Sequence, residues 1–374
     1  VLVDDVGLPR GHRPAVVLQQ RVRPPPVGVR VVVHDGDVGI GAGHRGDVRV
    51  GRGDRRNPRP TCVNVAHVTD GSIAGMESDG RMNHFGRFYG LSADPGDGRP
   101  LVAVTGNCQA GSIRRLLEST GEADAVLIPP VHELTADDLP HLARILGRAR
   151  VLVAQPVRDG YRGLPIGWRE QAALLPAGAT VVRYPVLRWA GLHPWHVIVR
   201  PPSDPGAVPP LVPYHDLRVL LDLPLSDAPV RALRRAAAES IAALRLREDA
   251  HDTVRVSDVL SRTPRWHTIN HPDNATLIEV ARRVAEAAGI GGEVTDPGWE
   301  MLGGVRARVD DAAAAALGVE PDPPGDPWTV DGRGIGTEEL RRAHRAWYRE
   351  HPDAVTEGRR RHADLIDLLT GGRP

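Results

Sequence analysis

Cys108 sits in Gly106-Asn-Cys-Gln-Ala-Gly111-Ser112, directly after the apolar run Leu101 to Val104 and directly before Ser112-Ile-Arg-Arg-Leu-Leu-Glu-Ser119, which has helical spacing. A strand, a tight turn and a helix in that order place the turn at the carboxyl edge of a sheet and at a helix N-terminus. Unpaired backbone N–H groups and the positive end of the helix dipole gather there. A thiol so placed has its thiolate stabilised, and oxyanions or phosphates are welcome beside it. Gly106 gives the turn its room. Asn107 and Gln109 flank the sulfur with two amides, which argues against a cysteine that serves packing alone, although an ordinary tight turn is the plain alternative. The turn lacks the lysine of a Walker loop, and the whole chain contains no lysine, so a P-loop, a Schiff base and a lysine general base are all excluded. It is not Gly-x-Gly-x-x-Gly, and no acidic residue ends the next strand as a ribose ligand would.

A second constellation is Trp266-His-Thr-Ile-Asn-His-Pro-Asp-Asn274, ahead of a helical pattern from Ala275. His267 and His271 are four apart, yet no glutamate follows His267 and Pro272 interrupts any helix between them, so a zincin site is not expected. His271-Pro272 before a helix resembles the last block of the SGNH esterases, where a histidine is the general base. The position three residues earlier is Thr268 rather than aspartate, so a simple Ser-His-Asp triad is not supported. Asn274 reads as a helix N-cap. Three more pieces fall at strand ends: Gln155-Pro156 with Arg158, Arg183-Tyr-Pro185, and Gly191-Leu-His-Pro-Trp195. Ligands of open α/β sheets bind at the carboxyl ends of strands. Gln155, Arg158, Arg183 and His193 are therefore expected to converge on Cys108 as cofactor-binding residues together with Gly106, the arginines suiting phosphates. Each arginine also reads as an ordinary surface residue.

The elements that must position these groups alternate from Arg99 onward. Strands are expected at Leu101–Thr105, Ala125–Ile128, Arg150–Ala154, Ala179–Arg183 and His196–Arg200. Helices fall between the earlier ones at Ala110–Ser119, from a Thr135-Ala-Asp-Asp138 capping box to about Gly147, and at Trp168–Leu175. Short apolar strands alternating with helices imply a parallel sheet covered on both faces. After Pro213 helices are expected at His215–Leu223, Ala228–Leu246, Ala275–Ala288 and around Ala312–Ala316. Pro321–Pro327 reads as a linker before an amphipathic C-terminal helix. Residues 1–75 lack glutamate and hold three leucines, and the first methionines are Met76 and Met82. A disordered leader or over-extended start is expected there, with a strand around Arg30–His34 as the competing reading. The domain scheme is thus 1–75 leader, 76–320 α/β domain with helical additions, and 321–374 linker and C-terminal helix.

With 374 residues and 41% hydrophobic content the chain can bury a substantial core, and its zero formal net charge argues against a nucleic-acid binder. No apolar run approaches membrane-spanning length. Two cysteines cannot build a disulfide framework, so a cytoplasmic location is expected.

The strand with Gly106-Asn-Cys-Gln109, then Gln155-Pro156, Tyr184-Pro185, Gly191-Leu-His-Pro194 and Thr268-Ile-Asn-His-Pro-Asp-Asn274 together resemble the WcbI-type polysaccharide biosynthesis proteins. These are assigned as acetyltransferases of capsule clusters that bind coenzyme A. The likeness spans about residues 85–290 and does not reach residues 1–75 or the region after about 300. It implies that Cys108 and His271 form a catalytic pair, with Gln109, Gln155 and Arg158 lining the pocket. The expectation is a three-layer, mostly parallel α/β domain, flavodoxin- or SGNH-like, with added C-terminal helices. Its expected function is transfer of an acyl (first choice acetyl) group from coenzyme A to a hydroxyl of a sugar or polysaccharide precursor. His271 would remove the proton, and backbone N–H groups with Asn107 or Gln109 would stabilise the oxyanion. The rival readings are an SGNH-like esterase, which turns over an aryl acetate without coenzyme A, and a non-catalytic module that binds coenzyme A or a glycan. A sulfotransferase is a weaker third.

Overall fold

The computed structural model describes the backbone of residues 30–34 and 37–41, and residues 80–92, 96–224 and 227–372. β1 (Arg30–His34) and β2 (Asp37–Gly41) pair antiparallel with each other. The rest of the expected leader, 1–75, lies outside the described residues.

The chain then lays down α1 (Gly86–Tyr89), β3 (Leu101–Thr105), α2 (Gln109–Glu118), β4 (Asp124–Leu127), α3 (Leu139–Leu146), β5 (Val151–Ala154), α4 (Trp168–Ala172) and β6 (Thr180–Arg183). The four β3 to β6 strands form one parallel sheet in the order β4-β3-β5-β6. Successive residues of β3 face opposite sides, as a strand requires. Val102 and Val104 join a buried cluster with Ile113, Leu116 and Leu117 of α2, whereas Ala103 joins one with Phe88, Leu142 and Ile145 from α1 and α3. Helices therefore cover both faces of the sheet. The expected capping box is present: Thr135 N donates to Asp138 Oδ2 at 2.9 Å, opening the short 3₁₀ turn Ala136–Asp138 ahead of α3. From β3 the chain winds first to β4 on one side and then crosses to β5 on the other. The loops leaving β3 and β5 diverge, which opens a crevice at their carboxyl ends.

The expected fifth strand of that sheet does not form. His196–Val197 (β7) instead pairs antiparallel with His215–Asp216 (β8) in a separate two-stranded sheet. A parallel neighbour needs a long crossover, usually a helix, and residues 184–195 contain none. They run as an irregular segment fixed by Trp189 N donating to Ile269 O at 2.8 Å and Ala190 N to Ser240 Oγ at 3.1 Å.

The helices α5 (Leu217–Leu220), α6 (Val230–His251), α7 (Ser257–Leu260) and α8 (Asn274–Ala288) follow. The helix expected over His215–Leu223 is only the short α5, because His215 and Asp216 are taken by β8. α8 packs on α2 and β6, closing one face of the sheet. β9 (Val305–Ala307), α9 (Asp311–Leu317), β10 (Trp328–Val330) and β11 (Arg333–Ile335) come next, then α10 (Thr337–Glu350), α11 (Pro352–Arg361) and α12 (Ala363–Thr370). The single C-terminal helix expected after Pro327 is thus a β-hairpin and three helices. β9, β10 and β11 form an antiparallel sheet, and β10 turns into β11 through Asp331 and Gly332, both with positive φ (48° and 81°), the backbone of a two-residue I′ hairpin. Among the described residues no helix is long and apolar enough to cross a membrane.

Candidate active site

At the crevice between β3 and β5, Gly106 has no room for a side chain. A Cβ there would lie 2.5 Å from the Tyr184 hydroxyl and 2.7 Å from Gln155 Oε1. Tyr184 is fully buried and its hydroxyl donates to Thr105 O at 3.2 Å. Asn107 N donates to Gln155 Oε1 at 2.8 Å, and Asn107 Oδ1 accepts from Gln109 N at 2.9 Å, which bends the chain into α2. Cys108 occupies the N-cap position of that helix, half-buried. The helix-opening placement expected of the thiol is therefore met. The Asn107 side chain is buried, and its Nδ2 has no hydrogen-bond partner among the described residues.

Gln109 has no such spare capacity. Its Nε2 donates to Leu187 O and to Asn270 O, both at 2.8 Å, while its Oε1 accepts from Gln155 Nε2 at 3.0 Å and Leu187 N at 3.1 Å. An amide side chain offers two donors and two acceptor lone pairs, and here all four are used. Gln109 is therefore not available as an oxyanion donor. Gln155, also buried, has its oxygen on Asn107 N and its nitrogen on Gln109, so it shapes the turn rather than facing a ligand. Together the two glutamines lock the opening of α2 to residue 187 and to the turn that carries His271.

That turn runs Thr268-Ile-Asn-His271 and closes through His267 N donating to His271 O at 2.9 Å. Thr268 Oγ1 accepts from His271 N at 3.2 Å and donates to the Tyr214 hydroxyl at 3.0 Å. The imidazole then points its Nε2 at Cys108 Sγ, 4.0 Å away. Residues 163 positions apart in sequence are thus brought into one pair. Burial, reinforced by neighbouring His267, pushes the His271 imidazole down to about 4 against the pull of the Val305 and Leu302 carbonyls. At neutral pH it is uncharged and holds a lone pair. The helix behind it is capped by Asp273, which accepts from Thr276 N at 3.0 Å, and not by Asn274 as the sequence suggests. Asn274 instead ties down the 296–301 loop, donating to Trp299 O at 2.8 Å and accepting from Met301 N at 3.0 Å.

The other expected residues separate. His193 is buried, and its Nε2 donates to Trp266 O at 3.2 Å, a supporting position and not a ligand-facing one. Arg183 is drawn away to the end of α6, where it donates to the Asp252 carboxylate at 2.6 Å and stacks 4.7 Å over the Trp168 ring. Arg158 stays at the exposed rim, 5.9 Å over the Tyr161 ring. Two residues, Tyr214 and Arg188, escaped the sequence reading, whereas Arg162 follows Arg158 in the segment already expected at the strand end. Tyr214 meets His271 edge-on at 6.2 Å, and burial holds its hydroxyl above the ordinary phenol range while Arg188 pulls the other way. Arg188 follows the Leu187 whose backbone N–H donates to Gln109. Arg162, in the left-handed region at φ 55°, donates to the His132 carbonyl on the loop after β4. No spacing rule marks Tyr214 or Arg188, because loops and not periodic elements bring them in.

A family profile described as polysaccharide biosynthesis enzyme WcbI matches residues 101–293. Among solved structures the chain is similar to one of WcbI, described as a novel polysaccharide biosynthesis enzyme, native protein without a disulfide bond between coenzyme A and a cysteine. The two share 18% identity over 74% of this chain and 100% of that one, with a TM-score of 0.61. None of the curated proteins matches.

Proposed function

Because the chain belongs to the WcbI family of polysaccharide biosynthesis enzymes, we propose that it transfers an acyl group, acetyl as first choice, from coenzyme A to a hydroxyl of a sugar or polysaccharide precursor. The observation that carries this reading is Cys108 Sγ at 4.0 Å from His271 Nε2 beside the uncommitted Asn107 Nδ2. The similar solved structure, whose description pairs coenzyme A with a cysteine, supports the choice of donor. We read the β4-β3-β5-β6 order as the centre of a three-layer, flavodoxin- or SGNH-like domain. The crevice at the β3/β5 reversal is then the ligand site.

Bound coenzyme A supplies an acyl group activated on a thioester sulfur. His271 Nε2 takes the proton of the acceptor hydroxyl as that oxygen attacks the acyl carbon. Asn107 Nδ2 donates to the oxygen that becomes negative, at the positive end of the α2 dipole, since the backbone N–H groups of Asn107, Gln109 and Ala110 are already taken by Gln155 Oε1, Asn107 Oδ1 and Asn107 O. Charge developing within about 4–6 Å raises the basicity of an imidazole that burial otherwise depresses. His271 then returns the proton to the departing sulfur as the carbon–sulfur bond breaks. Where Cys108 attacks first, its proton passes through His271 to the departing coenzyme A sulfur as the acyl-cysteine forms. The acceptor hydroxyl then attacks that acyl carbon, its proton passing through His271 to Cys108 Sγ as the acyl–sulfur bond breaks. We assign Arg158, with Arg162 and Arg188, to the phosphates of coenzyme A.

The test is to incubate the full chain with acetyl-coenzyme A and a panel of monosaccharides and sugar nucleotides, following thiol release and acetylated product. We expect acceptor-dependent release that falls roughly 10²–10⁴-fold in His271→Ala, the range for a positioned base. Turnover of an aryl acetate without coenzyme A, with no acetyl-coenzyme A consumed, would contradict the transferase.

A further inference from the structure

We propose that Trp328 and Tyr214 are positioning residues for His271, through an aromatic column that braces the histidine-bearing turn from the C-terminal hairpin. The proposal rests on the reading of Cys108 and His271 as a functional pair. It adds Trp328, which lies beyond the 101–293 stretch matched by the family.

The column can be followed ring by ring. His271 meets the Tyr214 ring edge-on at 6.2 Å and 89°. Tyr214 stacks on Trp328 at 5.2 Å and 20°, Trp328 on His196 at 4.7 Å and 26°, and His196 on His193 at 5.5 Å and 5°. His193 Nε2 then donates to the carbonyl of Trp266 at 3.2 Å. The stack thus starts on His271 and ends five residues earlier on the same segment, so both ends of the turn are held. At the near end a hydrogen bond doubles the contact: Thr268 Oγ1 donates to the Tyr214 hydroxyl and accepts from His271 N.

Trp328 is fixed independently of the rings. It lies in the central strand β10, opposite Ala307 of β9 and Ile335 of β11. Ala307 N in turn donates to His267 O at 2.7 Å, so the hairpin sheet is hydrogen-bonded to the turn it braces. Trp328, Tyr214, Ala307 and Ile269 of the turn share one buried cluster. The geometry at stake is demanding. A reacting group misplaced by about 1 Å is worth on the order of 100-fold in rate, and the sulfur–nitrogen distance of 4.0 Å leaves no slack. An aromatic face supplies rigid contact area that an aliphatic side chain of similar volume does not.

The experiment is the rate of Cys108 alkylation by iodoacetamide at pH 7 in the full chain carrying Cys62→Ser. It is measured for four forms: parent, His271→Ala, Trp328→Ala and the double variant. We expect His271→Ala to slow alkylation, Trp328→Ala to slow it about tenfold, and the double variant to be no slower than His271→Ala alone. Full coupling of that kind is the signature of one residue acting through another. Trp328→Phe, which keeps a ring face, should recover most of the parent rate. Should Trp328→Ala fail to fold, Trp328→Leu takes its place with the same outcomes. An unchanged rate in the Trp328 variant, or equal slowing in both backgrounds, would overturn the column while leaving the Cys108–His271 pair standing. A rate that His271→Ala does not alter would overturn the pair, and the column with it.

Discussion

Asn107 and Gln109 flank the same thiol, and their side chains have opposite fates. Gln109 spends every hydrogen-bonding group on Gln155, Leu187 and Asn270, whereas the Asn107 amide keeps a buried donor uncommitted. The two variants should therefore separate. Gln109→Ala leaves the Leu187 and Asn270 carbonyls short of a donor, at about 1–3 kcal/mol for each group left unsatisfied, and should lower stability in urea by several kcal/mol. Asn107→Ala removes one bond to Gln109 N and should cost stability only about 1 kcal/mol, near the value of a cap. Its acetyl-transfer rate should nevertheless fall on the order of 10²–10³-fold, as for a lost oxyanion donor. A stable Gln109→Ala, or an Asn107→Ala with parental activity, would reverse these roles. Local sequence made Cys108 and His271 legible, since each stands in an unusual polar turn before a helix. It left Gln109 ambiguous, because its partners at 187 and 270 are long-range.

At the scale of elements, the four parallel strands were legible because each is a short apolar run bounded by helices with an amphipathic stripe. The run at His196 has similar composition and a different fate. Composition does not reveal that the connection before it lacks a crossover helix, and that lack makes β7 pair with β8. The C-terminal hairpin carries a readable signal: Asp331-Gly332 between Trp328-Thr-Val330 and Arg333-Gly-Ile335, the dipeptide favoured by I′ turns. Its surroundings of proline and arginine obscured the alternation. Trp328 belongs to no motif, and its position depends on β10 lying centrally in its sheet. Helix α8 shows the opposite case, with its extent anticipated to a residue and its cap misassigned by one position.

Across the whole molecule, histidines are buried far from the thiol as well as near it. Burial pushes His193 and His344 down to about 4 and His215 down to about 3, well under an ordinary imidazole. His215 illustrates the reason, since it is buried with Nε2 donating to Val199 O at 3.1 Å and Nδ1 accepting from the Tyr348 hydroxyl at 2.9 Å. An unfolded chain takes up these protons near pH 6.5, whereas the folded chain does so only below about 4. Their stabilising contribution is thus complete above pH 6.5 and is lost as pH falls toward 4. Thermal melts should show a Tm that declines steadily from pH 6.5 to 4, with a shallower decline in His215→Gln. A Tm flat over that window would mean that these imidazoles already carry protons in the fold.

The central claim, that coenzyme A occupies the crevice at Cys108, is tested most directly by protection of that thiol. Desulfo-coenzyme A lacks the thiol that would consume the reagent and carries no acyl group to transfer, so it reports occupancy alone. The full chain is treated with iodoacetamide across a desulfo-coenzyme A titration, and the peptide containing Cys108 is quantified by mass spectrometry, with the Cys62 peptide as internal reference. The account predicts that Cys108 alkylation falls saturably to a small residual rate while Cys62 is unaffected, and that Arg158→Ala shifts the midpoint to higher concentration. Cys108 alkylation unchanged up to millimolar desulfo-coenzyme A would contradict it.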